Sequence, residues 1–179
     1  MTDYHPGLDG VIATESSISD IDGDKGVLSY RGYSIEELAE KSTFEETAYL
    51  LLTGELPTKT ELKDFTAKIN SRRDLPEGLI ELLKTLPKDS NPMDVIQLAV
   101  SSLGTFYPVK FDAEELKANK YTTEYYIDIS AGIIGSIGSI VAAWNRIKNN
   151  KAYIKPDDKL SYAENFMHML DDSIKVTPL

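Results

Sequence analysis

The chain contains no cysteine. Disulfides, thiolate nucleophiles and cysteine-based zinc sites are therefore excluded. Histidine is almost as scarce, with only His5 and His168 available to any acid–base mechanism. Cationic residues are in deficit: 19 Lys and Arg stand against 29 Asp and Glu, a net charge of −10. Nucleic acid and an anionic membrane surface are poor partners for such a balance, because both need a surplus of Lys and Arg on one face. The start, Met1-Thr-Asp-Tyr-His-Pro6, has neither a basic region nor an apolar core. It does not read as a signal peptide, and a cytoplasmic location is expected.

What is present is dominated by one stretch, Ile18-Ser-Asp-Ile-Asp-Gly-Asp-Lys-Gly-Val-Leu-Ser-Tyr-Arg-Gly-Tyr33. Ile18 and Ile21 on one side, and Val27, Leu28 and Tyr30 on the other, flank a turn at about 22–26. Asp22-Gly23 is a strong hairpin signal, because glycine accepts the positive φ of a primed turn. Two short antiparallel strands are expected within about 18–33, with Arg31-Gly32-Tyr33 closing the second. Asp20, Asp22 and Asp24 also occupy the first, third and fifth positions of a calcium loop. Lys25 stands where the sixth-position glycine is required and Arg31 where the bidentate glutamate is required, so an acidic turn is the better reading.

The remainder reads as helices, from about 34 to 170. Ser34-Ile-Glu-Glu37, Thr43-Phe-Glu-Glu46, Thr58-Lys-Thr-Glu61, Asp112-Ala-Glu-Glu115 and Ser161-Tyr-Ala-Glu164 all match the capping-box pattern. In that pattern a side-chain oxygen and a glutamate reciprocally satisfy the first helical N–H groups. Helices are expected over about 34–41, 44–53 (ended by Gly54), 58–71, from after Pro76 to about Leu86, 91–106, 121–149 and 162–170. Residues 108–120 form a connector. The segment 129–145 holds no charge and lies near the lower limit for crossing a bilayer. Its serines and glycines point instead to a buried helix in a globular fold. Gly132, Gly135, Gly138 and Ala142 form one stripe, which lets neighbouring backbones approach. Ile133, Ile137, Ile140, Trp144 and Ile147 form a second, apolar stripe.

Few residues suggest chemistry. Gly132-Ile-Ile-Gly135-Ser-Ile-Gly138 lacks the strand and turn that a phosphate-binding loop requires. His168, between two methionines on a short helix, reads as structural or exposed rather than catalytic, and His5 lies near the terminus. Arg72 and Arg73, with Arg146, Lys148, Lys151 and Lys155, are the candidates for contact with a phosphorylated ligand, although such groups are more often a solvated face. No Ser-His-Asp set can be assembled. No catalytic, cofactor-binding or metal-binding residue is assigned.

Several ordered blocks resemble the citrate synthase family. They are Gly7-Leu-Asp-Gly-Val-Ile-Ala-Thr-Glu-Ser-Ser-Ile-Ser-Asp-Ile-Asp-Gly-Asp-Lys-Gly26, Leu28-Ser-Tyr-Arg-Gly-Tyr-Ser-Ile-Glu-Glu-Leu38, and Phe44-Glu-Glu-Thr-Ala-Tyr-Leu-Leu-Leu-Thr-Gly-Glu-Leu-Pro57. Asp74-Leu-Pro-Glu-Gly78, Leu86-Pro87, Pro92-Met-Asp94 and Leu160-Ser-Tyr-Ala-Glu-Asn-Phe166 follow in the same order. The likeness is greatest to the short-N-terminus group that includes 2-methylcitrate synthases. It implies a mainly α-helical fold, the first part of the family's large domain, carrying a short N-terminal hairpin. It also implies condensation of oxaloacetate with acetyl-CoA or propionyl-CoA, by an aspartate base, two histidines and substrate-holding arginines.

Those motifs follow the Ser-Tyr-Ala-Glu-Asn-Phe block in the family, and 13 positions follow Phe166 here. The expectation is therefore the N-terminal half of such an enzyme, without its small domain and C-terminal part, inactive alone and binding no cofactor itself. Acyl-CoA would be a substrate of the full-length enzyme. The alternative is a non-catalytic helical interaction or regulatory module derived from it. Apolar surface on the 121–149 helix would then favour self-association or a complementary C-terminal chain.

Overall fold

A computed structural model describes residues 5–8, 10–12, 14–108 and 122–171. The described residues form seven α-helices, one short 3-10 turn and a small antiparallel sheet. The backbone divides into two compact units, 1–57 and 58–179, with the division at Pro57.

The first unit opens with β1 (Ser19–Asp22) and β2 (Val27–Tyr30), paired from Ser19 with Tyr30 to Asp22 with Val27. The expected turn is present, but its positive φ falls on Gly26 (φ 65) rather than on Gly23. The reason lies in Asp22, whose Oδ1 accepts from the Lys25 N–H at 3.1 Å while Oδ2 pairs with Lys25 Nζ. This side-chain turn carries the chain round and displaces the left-handed residue to its far end.

A second correction concerns Arg31-Gly32, which does not close the second strand but turns the chain again. Both residues have positive φ (49 and 88), as a type I′ turn demands. A third strand, β3 (Tyr33–Ser34), returns along β2 with Tyr30 opposite Tyr33. The hairpin is thus a three-stranded sheet in the order β1-β2-β3. Arg31 can hold a conformation unusual for a side-chain-bearing residue because its guanidinium is fixed at both ends. It donates to Ser17 Oγ at 2.8 Å and to the Leu51 carbonyl at 3.0 Å. Leu51 lies in α2 (Phe44–Thr53), which follows α1 (Ile35–Lys41).

Capping follows the sequence closely. Reciprocal capping boxes form at Thr43 with Glu46, Thr58 with Glu61, and Ser161 with Glu164. Ser34 caps in one direction only, because Glu37 is taken by Lys41 one turn on. The Asp112 box and most of the expected connector lie outside the described residues.

The second unit is built on α3 (Lys59–Asn70), α4 (Glu77–Lys84), α5 (Pro92–Phe106), α6 (Thr123–Lys148) and α7 (Tyr162–Leu170). α4 stops two residues before the expected Leu86, and Leu86 packs against the core from the turn that follows. The core joins Leu79, Ile80 and Leu83 of α4, Val95, Ala99 and Leu103 of α5, and Ile140, Ala143, Trp144 and Ile147 of α6. α6 packs on α3, α4, α5 and α7. By length and hydropathy it is the one described helix able to cross a bilayer, and 44% of its most apolar window is buried inside the fold. Its apolar stripe is only partly covered: Ile140, Trp144 and Ile147 are buried, whereas Ile133 is 39% exposed.

The stripe of small residues serves two neighbours. Gly132 and Gly135 face the end of α3 at Arg72 and Ile69, and Gly138 faces Phe166 and Tyr162 around α7. The glycine run is therefore a crossing surface inside a continuous helix, without the loop that a phosphate would need.

Candidate functional site

Polar side chains gather at the junction where the segment after α3 meets α6, the 149–161 segment and α7. Ser71-Arg-Arg-Asp-Leu75 leaves α3 with its backbone close to α6, and Ser136 Oγ donates to the Arg72 carbonyl at 3.1 Å. Successive side chains then diverge. The Arg72 guanidinium lies 3.9 Å from the ring centre of Tyr107, in cation–π geometry. Arg73 is buried at 4% exposure. It donates to the Leu160 carbonyl at 3.3 Å, and its guanidinium lies 5.3 Å from the Tyr162 ring centre. The Tyr162 hydroxyl continues the chain of contacts, donating to the Ile134 carbonyl at 2.7 Å.

Asp74 faces the 149–161 segment, accepting from Lys155 Nζ at 3.2 Å and from the Tyr153 hydroxyl at 3.4 Å. That hydroxyl also accepts from the Leu75 N–H at 3.4 Å. Burial pushes the Tyr153 phenol up to about 12, the Leu75 N–H partly opposes this, and the negative charge of Asp74 adds to it. The sign of the consequence is fixed. The folded state holds this proton more tightly than the unfolded chain, so its stabilising contribution is complete below pH 10 and is lost as pH rises towards 12. Tyr153→Phe is expected to remove this alkaline slope while costing about 1 kcal/mol at neutral pH through the lost hydroxyl contacts. Urea unfolding at a series of pH values between neutrality and 11 checks both parts.

The remaining basic candidates serve other ends. Arg146 is buried, and its Nε donates to the Ala152 carbonyl, while the Lys151 N–H returns to the Arg146 carbonyl at 2.8 Å. Lys88 Nζ donates to the Ile147 carbonyl at 2.9 Å, satisfying one of the last carbonyls of α6. Lys148 and Lys151 have exposed side chains. The six cations thus do not converge on one ligand: Arg72, Arg73, Arg146 and Lys155 are engaged within the fold, and Lys148 and Lys151 face solvent.

Sequence reasoning missed Asn165, which is 1% exposed. Its Oδ1 accepts from the Asp157 N–H at 2.9 Å, and its Nδ2 donates to the Asp157 carbonyl at 2.6 Å and the Leu160 carbonyl at 3.5 Å. One amide side chain thus closes the loop that precedes α7. An amide among the apolar positions of α7 (Phe166, Met169 and Leu170) is the signal that could have found it. Tyr107 and Tyr153, the partners of Arg72 and Asp74, were missed as well and carry no such mark.

His168 is half-buried on α7, and His5 is exposed. Asp20, Asp22 and Asp24 lie in and beside the β1–β2 turn, with Asp22 committed to Lys25. The lysine holds that carboxyl below the usual aspartate range. No group of three or more His, Cys, Asp or Glu among the described residues is arranged to hold a metal. Chemically, the junction positions backbone: Asp74, Lys155 and Tyr153 are committed to one another and to the Leu75 N–H, and Arg73 and Arg146 to main-chain carbonyls.

Comparison with known proteins decides what this frame is. A family model described as "Citrate synthase, C-terminal domain" matches residues 7–178. The chain belongs to the citrate synthase family. The citrate synthase of Acidithiobacillus ferridurans is 42% identical over 168 residues, which are 93% of this chain and 42% of that protein. The crystal structure of citrate synthase from Pyrobaculum aerophilum superposes with a TM-score of 0.81 at 36% identity, covering 92% of this chain and 41% of that one. Citrate synthase from Thermoplasma acidophilum, solved as a ternary complex with carboxymethyl coenzyme A and oxaloacetate, gives a TM-score of 0.81 at 29% identity, over 94% of this chain and 42% of that one. The helical fold and small sheet are thus those of a citrate synthase, and the chain spans about two-fifths of the length of these relatives.

Proposed function

We propose that this chain supplies part of the helical large domain of a citrate-synthase-type acyltransferase, which condenses oxaloacetate with acetyl-CoA or propionyl-CoA in a tricarboxylic acid or methylcitrate cycle. The observation that carries the proposal is the family match over 7–178, combined with a span of about two-fifths of the relatives. The Thermoplasma relative was solved with an acyl-CoA analogue and oxaloacetate, the two ligand classes named here.

The chemistry sets a requirement. Removing a proton from the carbon beside a thioester needs a positioned base, together with donors for the developing enolate. The polar groups of the described junction are engaged with one another and with the backbone, so catalysis is assigned to this chain only together with further polypeptide of the family. The exposed apolar side chains Tyr126 and Ile133 on α6, with Met93 and Leu98 on α5, support a partner on these helices, whether a second copy or a complementary chain.

The test is release of free CoA from acetyl-CoA or propionyl-CoA, with and without oxaloacetate. The isolated chain is expected to show none that depends on oxaloacetate. Adding the part of the Acidithiobacillus ferridurans enzyme that this chain does not match, expressed separately, is expected to restore it. Turnover by the isolated chain would overturn the scaffold assignment.

A further inference from the structure

Among the described residues, β1 is the outer strand of its sheet. The Arg31 N–H donates to the Ile18 carbonyl at 3.0 Å, which makes Ile18 and Arg31 a hydrogen-bonded pair. Antiparallel ladders alternate bonded and non-bonded pairs. In the observed register, Asp20 with Ser29 and Asp22 with Val27 are therefore bonded, while Ser19 and Ile21 occupy non-bonded positions. The N–H and C=O groups of Ser19 and Ile21 consequently point outwards from the sheet edge. Side chains alternate in the same way: Ser19 and Ile21 share one face, Asp20 and Asp22 the other. Ile21 is 71% exposed. Open edges of this kind are templates for another strand unless guarded.

Charge says which strand. Residues 1–57 hold twelve acidic and three basic side chains, so −9 of the chain's −10 resides in the first unit. A second copy pairing through the same edge would bring Asp20 against an equally acidic unit, and facing like charges destabilise a sheet.

We propose that the outer edge of β1 takes up an extended, basic segment of a partner protein as a fourth strand. The register specifies its pattern: a cationic residue beside Asp20 and an aliphatic residue beside Ile21, alternating along the segment. Main-chain hydrogen bonds to Ser19 and Ile21 supply affinity and the alternation supplies selectivity. Asp22 is already paired with Lys25. Asp20 and the surrounding acidic field therefore carry the discrimination.

The probe is a fluorescein-labelled peptide, Lys-Val-Lys-Val-Lys-Val-Lys, titrated with the full chain by fluorescence anisotropy. The control peptide has the same composition in blocks. The alternating peptide is expected to bind at least about tenfold more tightly than the block peptide, and the Ser19 and Ile21 amides to gain hydrogen-exchange protection on binding. Ile21→Pro removes an outward N–H without touching the β1–β2 ladder, and is expected to weaken binding about tenfold. Asp20→Lys, which leaves the backbone intact, is expected to do the same and guards against a misfolded proline variant. Equal binding of the two peptides, unprotected Ser19 and Ile21 amides in the complex, or no binding of the alternating peptide would each overturn the proposal. None of these readouts involves citrate synthase activity.

Discussion

Gly135→Ala is expected to lower the melting temperature by roughly 4–8 °C, the shift that about 2 kcal/mol produces in a chain of this size. The cause is a backbone crossing. A β-carbon at Gly135 would fall inside van der Waals contact of the Ile69 carbonyl oxygen, 3.1 Å from the Ile69 carbonyl carbon and 3.2 Å from Arg72 Cβ. Two of these are backbone atoms at the end of α3 and cannot rotate away, so the helices must separate. Overpacking of this kind costs about 3 kcal/mol. Removing a glycine from a helix interior returns about 1 kcal/mol. The clash exceeds the gain in propensity, so the net effect is destabilising. Gly104→Ala is the matched control. It lies in α5 with nothing within 4 Å of an added β-carbon, so only the propensity gain of up to about 1 kcal/mol remains. Thermal unfolding of the two variants should therefore move in opposite directions. A neutral or stabilised Gly135→Ala would mean that α3 and α6 are not in backbone contact.

Asn165→Leu is expected to cost about 2 kcal/mol and, in hydrogen exchange, to release the Asp157 amide. Leucine keeps the amide's branching but puts bulkier methyls in place of its oxygen and nitrogen, so lost hydrogen bonds and crowding against the Asp157 backbone act together. The Asp157 N–H and C=O lose their shared partner, and the Leu160 carbonyl loses the Asn165 donor while its bond from Arg73 remains. Because the contact joins the two ends of one loop, the loss should appear first as opening of 157–160 and only then in global unfolding. Asn165→Asp gives a signature that a packing role would not. At neutral pH a carboxylate oxygen replaces the donor facing the Asp157 and Leu160 carbonyls, and repulsion follows. Those carbonyls disfavour the charged form and raise the carboxyl's folded pKa, so the variant should recover stability as pH falls towards 4. Melting temperatures of Asn165→Asp and wild type that differ by the same amount at every pH would count against a clamp built on hydrogen bonding.

The helices were legible in the sequence because their punctuation is local. Thr43 with Glu46, Thr58 with Glu61 and Ser161 with Glu164 act across three residues, so the pattern and the bond are nearly the same fact. Asn91-Pro92 opening α5 and Gly54 closing α2 are local in the same sense. The family was legible for a similar reason, since ordered blocks survive as sequence. The small sheet was harder. Asp22 and Gly23 announced a turn, but the competition between a glycine's freedom and an aspartate side chain bonding to Lys25 moved the positive φ to Gly26. Arg31 gave no hint of a left-handed turn residue, because what holds it there is a carbonyl twenty residues away in α2.

By itself, then, the sequence determined the helical class, the strand-and-turn opening, the family and the absence of cysteine chemistry. These follow from composition, from contacts within one helical turn and from blocks of residues in order. Only the tertiary structure decided which glycine is a crossing point, which arginines are committed, and what Asn165 does. Gly132, Gly135 and Gly138 are indistinguishable in the chain, and differ because Ile69, Arg72 or Phe166 lies opposite. Arg73 and Leu160 are 87 positions apart, and Tyr153 and Asp74 79. No local pattern encodes such a pairing. It exists because hydrophobic packing of α3, α6 and α7 brings these segments together, and buried polar groups must then find partners where the backbone has placed them.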